Sequence, residues 1–274
     1  MTVHPSLQTY ADAWTHSTES ISELVKPLVE GEWNRRTPCP GWSVRDIVSH
    51  IIGMECEQLG DPRPIHTLPR DLYHVQNDYQ RYMEMQVDVR RHHTVPEMTS
   101  ELEYTLIRRN RQLRNESRPP ETMVRAPLGA EQTLELALHM RAFDVWVHEQ
   151  DLRTTLGIPG NLDSPGATIA RDTLLAALPK VVAKDAGAPP NSAVVLDVQG
   201  PMEFLRTVRV DADGRGSVDG SPSLGPAVTL GMDWETYYRL ACGRVRPQAV
   251  ADRIKVEGDQ DLAAAILRHF AVTP

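Results

Sequence analysis

The stretch Arg141-Ala142-Phe143-Asp144-Val145-Trp146-Val147-His148-Glu149-Gln150-Asp151 decides how the first half of the chain is built. It lacks glycine and proline. Phe143, Trp146 and Val147 continue the helical spacing that Leu134 and Leu138 begin. The pattern predicts a helix from about Thr133 to Leu156, closed by Gly157 just past its end. Asp144 and His148 are four residues apart, so their side chains share a face, and Arg141 and Asp151 extend that polar stripe in both directions. A carboxylate and an imidazole at this spacing can hold one divalent ion, and they can equally form an ordinary exposed pair. A third ligand has to come from another helix. His50, two turns into Asp46-Ile47-Val48-Ser49-His50-Ile51-Ile52, is the candidate, although a histidine among apolar neighbours is also a common hydrogen-bonded core residue. His139, nine residues before His148, falls on the opposite side of its helix and makes a poor partner.

Working outward, Tyr10, Trp14, Ile21, Leu24, Val25 and Leu28 give an amphipathic helix from Gln8. The breaker run Thr37-Pro38-Cys39-Pro40-Gly41 separates it from a second helix that begins at Ser43, where Asp46 completes a short capping box. From about Leu72 to Ser117 the pattern is one long helix or two, interrupted near Pro96. With the helix that follows, this predicts a four-helix bundle of amphipathic helices over residues 1–160. The grammar then changes. After a helix from about Ala167 to Ala183, Val194, Leu196 and Val198 alternate with other residues in strand period. Val208 and Val210 repeat this before an Asp213-Gly214 hairpin tip, and Ala227–Leu230 and Ile254–Val256 are further strand candidates. Helices are expected from Trp234 to Ala241 and from Asp259 to Phe270. Residues 161–274 are therefore expected to form a small α+β domain with a mainly antiparallel sheet, making the whole chain α+β.

The chain has 274 residues and a net charge of −8, which argues against a binder of nucleic-acid phosphates. No apolar stretch reaches the ~20 residues of a membrane-spanning helix. Three scattered cysteines imply no disulfide framework, and the opening residues do not resemble a secretory signal, so a cytoplasmic protein is expected.

Two signatures resemble one family. Trp33-Asn34-Arg35-Arg36-Thr37-Pro38-Cys39-Pro40-Gly41-Trp42-Ser43-Val44-Arg45-Asp46-Ile47-Val48-Ser49-His50 is similar to the opening of the actinobacterial mycothiol-dependent maleylpyruvate isomerases, which belong to the DinB/YfiT-like metal-binding bundles. Phe143 to Arg153 resembles their fourth bundle helix. The closing part, with Ala241-Cys242-Gly243-Arg244 and Val256-Glu257-Gly258-Asp259, resembles their sterol-carrier-protein-like C-terminal domain. The resemblance implies that His50, Asp144 and His148 ligate a divalent metal, with zinc the expected ion for mixed nitrogen and oxygen donors. The isomerases carry glutamate where Asp144 stands, so this chain has a ligand one methylene shorter.

The resemblance further implies mycothiol as thiol cosubstrate and a small electrophile as substrate. A metal-activated thiolate would isomerise a maleylpyruvate-like alkene or undergo S-transfer. Arg244, with Arg153 and Arg81 behind it, is the candidate for binding thiol or substrate carboxylates, and Asp151 for orienting His148. Cys39, between two prolines, suits a packed loop rather than a nucleophile, and Trp33 and Trp42 read as loop anchors. Two other readings stay open: a non-catalytic protein that binds a metal and an apolar ligand, and a metalloenzyme of specialised metabolism that needs no thiol. A monomer or homodimer is expected, with neither nucleic acid nor membrane as partner.

Overall fold

The computed structural model describes residues 3–220 and 225–273. The chain divides into two compact units, Met1–Ile169 and Ala170–Pro274.

In the first unit the helices are α1 (Gln8–Val25), α2 (Glu30–Trp33), α3 (Val44–Gln58), α4 (Asp78–Asp88), α5 (Val95–Arg114) and α6 (Leu134–Leu156). α1 packs on α5 and α6, and α3 packs on the same two, so these four form the bundle, with α4 laid against α3. Local chemistry fixes the ends. The Ser43 hydroxyl accepts from the Asp46 amide while the Asp46 carboxylate accepts from the Ser43 amide at 2.8 Å, so α3 starts with two otherwise orphan N–H groups satisfied. Thr133 caps α6, and Gly157 ends it at a φ of 72°, where a side chain would be strained. Val25, Leu28, Trp33, Val44, Ile47, Val48, Ile51, Met98, Leu102 and Leu152 make the bundle core.

Three expectations change here. The segment from Leu72 is not helical until Asp78; the interruption expected near Pro96 falls at residues 89–94, just before it. Pro96 lies in the first turn of α5, where its missing N–H has no partner to lose. α6 is not amphipathic: Arg141, His148, Glu149, Gln150 and Asp151 are as buried as Phe143, Trp146 and Leu152. A charged helix at the centre of a fold needs partners for those groups, and the bundle supplies them. Finally, a short antiparallel hairpin, β1 (Met123–Arg125) with β2 (Glu131–Thr133), precedes α6. Its three-residue strands carry too little alternation to be read from sequence.

α7 (Pro165–Pro179), in which the division between the units falls, runs into a π-helical turn at Lys180–Asp185. The second unit then holds β3 (Ala193–Gln199), β4 (Phe204–Val210), β5 (Gly216–Asp219), β6 (Val228–Asp233), α8 (Trp234–Ala241), β7 (Lys255–Gly258) and α9 (Gln260–Arg268). The sheet order is β5-β4-β3-β6-β7. All neighbours are antiparallel except the central pair, β3 with β6. Central position explains why Val195 is buried together with Val194 and Leu196 instead of alternating with them. The expected hairpin closes at Gly214, whose φ is 78°. Trp234, Tyr237 and Phe270 pack as an aromatic cluster beneath the sheet residue Phe204. Among the described residues no helix is long and apolar enough to cross a membrane.

Candidate metal centre

α3 and α6 bring His50, Asp144 and His148 together in the first unit. His50 Nε2 stands 3.1 Å from Asp144 Oδ2, and His148 Nε2 stands 3.6 Å from Asp144 Oδ1. The two imidazoles meet edge to face with centroids 5.0 Å apart. Both rings are buried, whereas the Asp144 side chain keeps a third of its surface, which makes it the exposed edge of the cluster. The His148 Nδ1–H donates to Asp151 Oδ2 at 3.1 Å, which orients the ring with Nε2 toward Asp144. Burial lowers the pKa of His50, and Asp144 only partly offsets this. Burial opposes ionisation of Asp144, but His148, Arg141 and His50 outweigh it and hold the carboxyl well below the usual carboxylate range. The three donor atoms all lie within 4.8 Å of one another. Tetrahedral zinc with bonds of ~2.0–2.2 Å places its ligand atoms roughly 3.4 Å apart, close to the two separations here. Donor type and spacing therefore fit a divalent cation.

Trp42 is more than a loop anchor. Its ring lies 5.0 Å from His50 and 5.8 Å from His148, covering both imidazoles. The loop before α3 sets it there: Thr37 N–H and the Thr37 hydroxyl both donate to the Trp42 carbonyl, and Arg36 donates to the Gly41 carbonyl at 2.8 Å. Gly41 has a φ of 82°, and a Cβ there would come within 2.3 Å of the His74 ring, so the turn requires glycine twice over. The Trp42 indole N–H donates to Glu84 at 2.9 Å, and Glu84 is itself buried and held by His74 and Arg91. Cys39, in the same loop, has its sulfur within 4.8 Å of donor atoms of His148 and Asp151. On α4, burial and then the charge of Asp144 push the Tyr79 phenol up. Trp42 carries no spacing signal; its ring reaches the imidazoles from the loop before α3.

Arg153 donates to Glu149 at 2.8 Å, to Ser20 at 2.8 Å and to the Ile158 carbonyl at 3.1 Å, joining α6 to α1. Arg81 is exposed on α4. Arg244 follows α8 in the second unit, half-buried, and donates to the Cys242 carbonyl at 2.8 Å. His139 stacks on Tyr10 and takes no part in the cluster.

A helical bundle carrying an inward-facing His–Asp–His cluster, followed by a sheet domain, is the architecture of a two-part bundle protein with a metal-type site. The comparisons give it a family. The sequence pattern of the Mycothiol maleylpyruvate isomerase N-terminal domain matches residues 14–153, and that of the MDMPI C-terminal domain matches residues 168–265. The chain belongs to the mycothiol maleylpyruvate isomerase family. Crystal structures of the mycothiol-dependent maleylpyruvate isomerase and of a histidine-to-alanine mutant of it share the fold. The mutant aligns with a TM-score of 0.56 and the unmutated protein with 0.55; in both cases identity is 15%, covering 94% of this chain and 96% of that one. Sterol Carrier Protein 2 Like 2 from Aedes aegypti is 19% identical over 37% of this chain and 97% of that one, with a TM-score of 0.30, too slight a likeness to define the second unit. No curated protein matches the sequence significantly.

Proposed function

We propose that this protein is a mycothiol-dependent enzyme that uses a divalent metal, zinc the favoured ion, to isomerise a small electrophilic alkene or transfer a thiol to it. The observation that carries the reading is the convergence of His50, Asp144 and His148 in a chain of this family. A divalent ion there would supply Lewis acidity, bringing the pKa of a thiol down from about 8.5 and fixing its sulfur.

The chain's own residues prepare that site. Asp151 orients His148 so that Nε2 is turned toward the Asp144 side of the cluster. Trp42 covers both imidazoles and keeps water from their faces. Asp144, at the exposed edge, is where a thiol and its electrophile would enter. Three protein donors leave a coordination position for an exogenous ligand, as catalytic sites do. Arg81 and Arg244 are proposed to hold the carboxylates of thiol or substrate; Arg153, whose donors are engaged within the bundle, is the weaker third.

The test is turnover of maleylpyruvate and a panel of conjugated electrophiles by metal-loaded and metal-stripped protein, each with and without mycothiol. Activity is expected only when both metal and thiol are present. Full activity without thiol would favour a thiol-independent metalloenzyme, and no turnover with intact metal binding would favour a binding protein.

A further inference from the structure

We infer that Arg141, gripped by the buried Glu55, is a positioning residue that turns Asp144 toward the two imidazoles and makes the short carboxylate an effective third donor. The inference rests on the metal-site reading above.

The arrangement is built from the middle of the bundle outward. Glu55, on α3, has no exposed side-chain surface. Its Oε1 accepts from Arg141 Nε at 3.0 Å, from Arg141 Nη2 at 2.7 Å and from the Trp14 indole N–H at 2.9 Å. Its Oε2 accepts from Arg109 Nε at 3.0 Å. Three helices besides its own therefore hold this carboxylate, and it fixes one edge of the Arg141 guanidinium. The remaining nitrogen, Nη1, points along α6 and donates to Asp144 Oδ2 at 2.7 Å. A planar fork held on one edge has little freedom on the other.

Its consequence falls on Asp144. Aspartate is a short side chain, and a third of this one is exposed, so by itself it could rotate toward water. The bond from Arg141 holds Oδ2 beside His50 and leaves Oδ1 facing His148. Carboxylates that ligate metals are commonly held in this way by a second hydrogen bond.

The charges make the inference decidable. A guanidinium beside a cation site repels the cation. Glu55 and Asp144 are negative and Arg109 and Arg141 positive, so the group of four is neutral and the repulsion is moderated. If Arg141 acted only as a nearby positive charge, removing it would tighten metal binding. If it positions Asp144, removing it weakens binding despite the charge relief.

The experiment is a competition titration of metal-free protein with Zn²⁺ against a chromophoric chelator, and the visible spectrum of the Co²⁺ form. The proteins are wild type, Arg141→Met, Arg141→Lys and Glu55→Gln, with thermal melts of the metal-free forms as the folding check. We expect Arg141→Met to bind Zn²⁺ about 10- to 100-fold more weakly, the usual effect of losing such a partner, with an altered Co²⁺ spectrum. Lysine, a point charge that cannot bridge two carboxylates, should restore only part of the affinity. Glu55→Gln, which loosens the grip without removing the fork, should lose less than Arg141→Met. A folded Arg141→Met that binds as tightly as wild type or tighter overturns the inference. Should that variant not fold, Arg141→Lys and Glu55→Gln decide: wild-type affinity and spectrum in both overturn it. Wild-type protein that takes up no ion overturns the metal-site reading and this inference with it. Wild-type uptake with unaffected variants overturns this inference alone.

Discussion

α6 carries two buried polar clusters, one around Glu149 and one around Asp144, and they differ in the groups they gather. Glu149 Oε1 accepts from Ser20 at 2.7 Å, from Arg153 at 2.8 Å and from Asn161 at 2.6 Å. Arg153 and Asn161 also donate to Ser20, so the cluster closes on itself and ties α6 to α1. Around Asp144 two imidazoles and a carboxylate face one another instead, with their donor atoms within 4.8 Å. One cluster sets three hydrogen-bond donors on Glu149 Oε1, with Oε2 buried beside them, and joins two helices. The other brings two imidazoles and a carboxylate about a common point, which is what a cation needs.

That contrast can be broken from either side. The largest expected effect lies beneath the Asp144 cluster. Glu55→Leu leaves Arg109 and Arg141 buried without their shared carboxylate and should destabilise the fold by about 3–5 kcal/mol, measured by urea unfolding. Next, Arg153→Ala removes charged hydrogen bonds in the Glu149 cluster and should cost about 1.5–3 kcal/mol while leaving Zn²⁺ affinity unchanged. A change in affinity there would erase the distinction between the clusters. Trp42→Phe keeps an aromatic cover over the imidazoles but loses the bond to Glu84, at a cost of about 1 kcal/mol in thermal unfolding.

pH sharpens the same comparison. Burial alone would raise the pKa of Glu55, but Arg141, Arg109 and the Trp14 N–H lower it below the ordinary value. A carboxyl depressed in the folded state contributes stability above its unfolded pKa of about 4.3, and that contribution is lost as pH falls through the folded value. The gap in unfolding free energy between wild type and Glu55→Gln should therefore narrow as pH is lowered from about 7 to about 3. A gap constant over that range would mean that the fold does not lower the Glu55 pKa.

The parts legible in the sequence were those set by neighbours along the chain. Ser43 with Asp46, Thr133 and Gly157 mark helix ends through bonds spanning three or four residues, and the observed bounds of α3 and α6 follow them. Asp144 and His148 share a face by helical spacing alone. Pro96 marks the interruption because a proline is tolerated only in the first turn of the helix that begins after Thr94. His50 lies 94 residues from Asp144 and came forward chiefly through the resemblance between families. Glu55 had no such aid: its partners Trp14 and Arg141 are 41 and 86 residues away, and a glutamate late in an amphipathic helix reads as a solvated charge. Trp42 was read as packing because nothing local shows what its ring will cover.

The central claim is that His50, Asp144 and His148 hold one divalent ion. Zn²⁺ titration of metal-free wild type, His148→Ala and Asp144→Glu, by chelator competition with metal analysis of the products, tests it most directly. The account predicts one equivalent bound by wild type, none bound tightly by His148→Ala, and one retained by Asp144→Glu, which restores the carboxylate of the relatives. Equal binding by wild type and folded His148→Ala, or no binding by wild type, would contradict it.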